Sequence, residues 1–184
     1  MATFTDTTVE DPKGLAVLVP GIAYPVQMPQ LYFAKQVALA NGWSVREIAW
    51  EPGMEWTTEA VAGEFEKAIY GVDLPILIMG KSIGSLSSVV AAEKSLPAVW
   101  ITPVLEREDA VRAIGANAAK QLVIGGTADV DHWDSDASKT WPENVEVLEF
   151  DGADHSTLVA GDPVRSGEIA AEYTKAMHEW LQAL

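Results

Sequence analysis

Apolar runs of three to six residues punctuate the chain at positions 15–19, 76–79, 98–101, 122–124 and 145–150, and most are bounded by proline or glycine. A continuous run of that length, closed off by turn residues, is the pattern of a strand buried on both faces. A more mixed strand occupies 45–50. Between these runs lie stretches of helical spacing at 30–40, 58–70, 85–94, 106–114 and 164–184. Regular alternation of strand and helix predicts a largely parallel sheet, because parallel strands must be joined by crossovers and the crossover helices cover both faces. The expected fold class is therefore α/β: a three-layer α/β/α sandwich in one domain, residues 1–184. Functional side chains then belong beyond the carboxyl ends of the strands. No repeat or low-complexity tract interrupts the pattern, and no insertion is long enough for a cap domain. The polar stretch 129–144 reads as a long loop, a feature often tied to function.

Composition narrows the chemistry. With 48% hydrophobic residues in 184, the chain has material for a sizeable core. Its 27 acidic against 12 basic residues give a net charge of −15, a field that repels phosphate backbones and anionic lipid, so no nucleic-acid partner is expected. There is no cysteine, which excludes disulfides, thiolate nucleophiles and cysteine-ligated metal sites. The start, MATFTDTTVEDPKG, has neither the positive charge nor the apolar stretch of a secretory signal. No apolar run approaches the roughly 20 residues needed to span a bilayer. A soluble, cytoplasmic protein without membrane insertion is the expectation.

The run 76–79 leads directly into Gly80-Lys81-Ser82-Ile83-Gly84, and helical spacing follows. Strand, G-x-S-x-G, helix is the context in which a serine sits on a sharp turn with its hydroxyl held above the sheet. Glycines two positions to either side remove side chains that would collide there. A phosphate-binding loop would need glycine where Pro75 stands, and is rejected. An ordinary turn whose serine caps a helix remains the competing reading of this segment alone.

Three histidines exist, so the search for a base is short. His178 lies within the last helical stretch and reads as a surface or packing residue, and His132 falls in the 129–144 loop. His155, in Asp151-Gly152-Ala153-Asp154-His155-Ser156, follows the 145–150 strand directly, where it can reach a serine at another strand's end. The carboxylate that would orient such an imidazole is best supplied by Asp129, after the 121–124 strand. Asp131, Asp134 and Asp136 are rivals by proximity in sequence, while Asp154 reads as a local turn former.

The order Ser82, Asp129, His155, the turn GKSIGS, Trp100-Ile101-Thr102-Pro103 at a strand end, GGTAD around Asp129 and GADHS around His155 together resemble the small, lidless α/β-hydrolase family over nearly the whole chain. The resemblance implies the α/β-hydrolase fold, short of its full eight strands at the amino-terminal side. It implies a Ser-His-Asp catalytic triad and an oxyanion hole made by the amide of Ile83 and one from the Gly21–Tyr24 loop, at Ile22 or Ala23. Tyr24, Thr102 and Trp133, with Pro103 and Trp56, lie in loops that this topology gathers near Ser82 and are candidates for a substrate pocket. Lys81 is read as an exposed neighbour of the nucleophile. The expected activity is hydrolysis of a small-molecule ester or thioester through an acyl-enzyme, with no cofactor or metal. The competing class is a binding module on the same fold.

Overall fold

The structure is a computed structural model and describes residues 2–184. Seven strands, β1 (Ala2–Thr7), β2 (Gly14–Val19), β3 (Trp43–Trp50), β4 (Ile76–Lys81), β5 (Ala98–Ile101), β6 (Gln121–Gly126) and β7 (Val145–Phe150), form one sheet in the order β1-β3-β2-β4-β5-β6-β7. All neighbours pair in parallel except β1, which runs antiparallel to β3. The helices are α1 (Pro29–Ala40), α2 (Thr58–Ile69), α3 (Ser88–Lys94), α4 (Glu108–Ala116), a short α5 (Ser135–Ser138) and α6 (Pro163–Gln182).

The apolar runs of β2, β4, β5 and β6 are continuous because both sheet faces are covered, whereas β7, expected to be buried like them, lies at the sheet edge with Glu146 and Glu149 exposed. Alternate residues of each strand enter opposite cores: Ala16, Leu18, Met79, Ile101 and Ile124 pack with Leu31 and Val37 of α1 and Ile169, Tyr173 and Met177 of α6. Leu15, Val17, Ile78, Trp100 and Val123 pack with Phe65 of α2, Val90 of α3 and Ile114 of α4. The result is the three-layer sandwich the alternation predicts, with no cap domain among the described residues. No described helix is long and apolar enough to cross a membrane. Trp100, fully buried, donates its indole N–H to Gln121 Oε1 at 2.9 Å, and Gln121 Nε2 donates onward to the Ile114 carbonyl at 2.8 Å. The polar atoms of this buried pair are thus satisfied, as a dry core requires.

Three features depart from the sequence expectations. The amino-terminal segment, to which the sequence pattern assigns no element, forms the edge strand β1, whose pattern is mostly exposed; with neither face buried, it carries no apolar signature. The 129–144 stretch contains α5, capped by Asp134, whose side chain accepts from the amides of Asp136 and Ala137. Residues Ser82–Ser87 form a 3₁₀ turn, and α-helix begins only at Ser88.

The chain travels outward from β2 to β3, then crosses over β2 to β4 and continues the other way through β7. The direction of winding therefore reverses between β2 and β4. In such sheets the crevice outside the strand ends at the reversal is where ligands bind.

Candidate active site

Ser82 stands at that reversal, immediately after β4, with φ of 53°. A left-handed backbone at a non-glycine residue costs about 1–3 kcal/mol and persists only where surrounding structure dictates it. Gly84 shows what dictates it: a Cβ there would lie 2.2 Å from the Val19 carbonyl oxygen. The turn is thereby drawn tight against the end of β2. Ser87 Oγ donates to the Gly84 carbonyl at 2.7 Å, and Ser85 Oγ accepts from the Val104 amide at 3.2 Å, which ties the turn to the loop after β5.

His155 follows β7 in a loop shaped by Asp154, whose carboxylate accepts from the amides of Ser156 at 2.8 Å and Leu158 at 3.0 Å. Asp154 is thus a turn former. The loop after β6 is stitched to this one by the Ala128 amide on the Ala153 carbonyl at 3.0 Å, and by the Gly152 amide on Thr127 Oγ1 at 2.8 Å. Out of these two loops and the serine turn comes one chain of contacts. His155 Nε2 lies 2.8 Å from Ser82 Oγ, and His155 Nδ1 lies 2.6 Å from Oδ2 of the buried Asp129. Asp131 is exposed, Asp134 caps α5, and Asp136 pairs with Lys139 at 3.0 Å. Asp129 is therefore the carboxylate brought to the imidazole.

Residues Gly21 to Tyr24 form a turn closed by the Tyr24 amide on the Gly21 carbonyl at 3.4 Å, with Ile22 and Ala23 exposed at its tip and Ala23 at φ 51°. This turn abuts the nucleophile: a Cβ on Gly21 would lie 3.2 Å from Ser82 Cβ. Ile83 occupies the first turn of the 3₁₀ segment, where amides have no intrahelical acceptor. Ile83 and the Gly21–Tyr24 turn are thus the backbone segments next to the serine.

The candidate pocket residues separate. Tyr24, half-buried, lines a cavity of about 390 Å³ together with Gly21, Ala23, Val26, Ile48 and Trp50, with the Lys35–Glu47 ion pair in its wall. Thr102 is fully buried, with φ of 42°, and offers no open surface. Trp133 lies against Gly125, where a Cβ would come within 2.1 Å of its ring, and donates its indole N–H to Glu149 at 2.5 Å. Neither lines the cavity beside Gly21. Trp56 stacks edge-to-face on Trp50, with ring centroids 5.9 Å apart.

Two features of the site escape a reading of the sequence. Lys81, expected on the surface, is only 2% exposed. Its ammonium lies 4.8 Å above the Tyr24 ring and donates to the His155 carbonyl at 3.2 Å. Burial drives its pKa down from 10.5 to about 8, against the pull of Asp129 and Asp154. His132, read as one more loop histidine, packs against the His155 ring with centroids 4.5 Å apart and the planes tilted by 54°. Only the end-of-strand position of the 129–133 segment hinted at it.

No protein-family model and no curated protein sequence matches the chain. Solved structures match closely in shape. A monoacylglycerol lipase from Paleococcus ferrophilus superimposes with a TM-score of 0.76 over 98% of this chain and 98% of its own, at 16% identity. Est1E from Butyrivibrio proteoclasticus, solved with ferulic acid bound, gives 0.76 over 99% and 94% at 11% identity. A serine hydrolase without a lid from Xanthomonas campestris gives 0.68 over 99% and 88% at 16% identity. Identities this low speak to shape alone, and the shape, with its parallel sheet, its winding reversal and its strand-turn-helix at Ser82, is the α/β-hydrolase fold.

Proposed function

We propose that this chain is a serine hydrolase that cleaves a small ester or thioester through an acyl-enzyme. The observation that carries the reading is the unbroken Ser82–His155–Asp129 contact chain, at 2.8 and 2.6 Å, on a serine held in a left-handed turn. Structures of like fold described as a lipase and a lidless serine hydrolase support it.

In this mechanism His155 Nε2 takes the Ser82 proton as Oγ attacks the substrate carbonyl, while Asp129 holds the proton on Nδ1 and stabilises the imidazolium. Negative charge then develops on the carbonyl oxygen, facing the Ile83 amide and that of Ile22 or Ala23, donors fixed before the reaction starts. The imidazolium returns its proton to the departing alcohol or thiol. Water, deprotonated by the same nitrogen, releases the acid and restores Ser82. The cavity beside Gly21, of about 390 Å³, is at the small end of ligand sites and suits a short acyl or alcohol group. A small-molecule substrate in the cytoplasm fits an acidic surface and an uncapped site.

The test is hydrolysis of acetyl-to-octanoyl p-nitrophenyl esters and matching thioesters by the purified chain and by Ser82→Ala. Turnover by the native chain, lost in the variant, is the expected outcome. Equal background turnover by both would leave a binding module on this fold.

A further inference from the structure

Asp129 and His132 stand three residues apart on a single helical turn, in which the Asp129 carbonyl accepts from the amides of His132 at 3.2 Å and Trp133 at 2.8 Å. Side chains at that spacing face the same way, and here they face His155. One oxygen of Asp129 and one nitrogen from each of His132 and His155 lie within 4.8 Å of one another. Proton transfer between Ser82 and His155, with Asp129 holding the ring, gives His132 nothing to do. Two imidazoles and one carboxylate are the donor set of zinc and its borderline neighbours, whereas calcium and magnesium favour oxygen. His132 Nδ1 also lies 3.0 Å from Glu106 Oε1, close enough for an ion pair though without hydrogen-bond geometry. A metal on the other ring nitrogen would fix the proton on Nδ1, and a small turn of the ring would then let it donate to this carboxylate, the usual outer support of a ligating histidine.

We propose that Asp129, His132 and His155 form a binding site for a divalent cation of the zinc class, and that a cation held there silences Ser82. The binding half stands on these residues alone; the silencing half rests on the serine-hydrolase reading. A neutral imidazole has one lone pair and one N–H. If the metal takes Nε2 of His155, it displaces Ser82 outright. If it takes Nδ1, the remaining proton resides on Nε2, which can then only donate to Ser82. Either way the lone pair that accepts the serine proton is lost. Tetrahedral zinc, with bonds of 2.0–2.1 Å, holds its ligand atoms about 3.3 Å apart. Entry at Nδ1 therefore opens the 2.6 Å His155–Asp129 contact by about 0.7 Å. The cation competes with the triad's own hydrogen bond, as a reversible inhibitor must.

The experiment is isothermal titration of zinc chloride into the metal-stripped full chain, His132→Phe and Glu106→Gln. The rate of fluorophosphonate labelling at Ser82 is measured in parallel with and without zinc. Phenylalanine keeps the ring against His155 and removes the lone pair. The third histidine, His178, is remote and has its ring nitrogens 2.9 Å from Asn41 Nδ2 and 3.0 Å from Gln182 Nε2, so background binding should be small. We expect one zinc per chain, affinity lowered at least about tenfold in His132→Phe and about 10- to 100-fold in Glu106→Gln. Zinc should slow labelling of the native chain and spare His132→Phe. Zinc affinity equal in the native chain and His132→Phe, or no binding to either, overturns the site. Histidine-dependent zinc binding by a chain that never labels even when stripped of metal keeps the site and refutes the hydrolase reading.

Discussion

Replacing Lys81 by methionine should stabilise the protein at neutral pH and destabilise it in alkali. The lysine is 2% exposed, and burial lowers its pKa from 10.5 to about 8. At 1.36 kcal/mol per tenfold change in proton affinity, holding the charged form in the fold costs about 3 kcal/mol. Below pH 8 both folded and unfolded chains carry the charge, and folding bears that cost in full. Between pH 8 and 10.5 the folded lysine has lost its proton while the unfolded one has not. The unfolded chain then binds more protons, so stability rises with pH. Above 10.5 the two states are alike and the cost is gone. Methionine keeps the stem and does not titrate, but forfeits the hydrogen bond to the His155 carbonyl, worth about 1 kcal/mol. Lys81→Met should accordingly be more stable than the native chain by about 2 kcal/mol at pH 7, match it near pH 10 and fall below it beyond. Urea unfolding followed by tryptophan fluorescence at pH 7, 9 and 10 measures the difference, in which all other titrating groups cancel. A difference that stays constant across that range would refute the buried, weakened ammonium.

Asp129→Asn should preserve the fold and lower turnover by about 10⁴, because the amide favours the wrong imidazole tautomer, while Asp131→Asn should leave ester kinetics unchanged; equal losses would contradict the assignment. Gly84→Ala places a methyl 2.2 Å from the Val19 carbonyl, and overpacking of that kind should cost about 3 kcal/mol in urea unfolding. Gly125→Ala, facing the Trp133 ring at 2.1 Å, should cost about 1–3 kcal/mol alone and much less in a Trp133→Ala background; additive losses would show that the two do not share one space.

What sequence makes legible here follows from burial. The runs at 76–79 and 98–101 stand out because β4 and β5 are covered on both faces, so no polar residue interrupts them. β1 is invisible for the opposite reason: ATFTDT lies at an edge with four of its six positions exposed, and only its ladder with β3 orders it. The positions of Ser82, Asp129 and His155 could be read because each follows a strand end, which fixes where a side chain emerges. Lys81 shows the limit of that logic. Its neighbour Ser82 is partly exposed, and nothing in GKSIGS reveals that the lysine's stem runs under Gly21 and Tyr24. His132 could not be paired with His155 either, since their proximity depends on a helical turn within a stretch read as loop. Thr102, placed near the pocket by topology alone, is turned into the core.

The most direct test is to treat the folded chain with a fluorophosphonate probe and locate the modified residue by mass spectrometry, with Ser82→Ala as control. A single adduct at Ser82, absent from the variant, is the expected result. An unmodified Ser82 in folded, metal-free protein would contradict an activated serine and, with it, the hydrolase assignment.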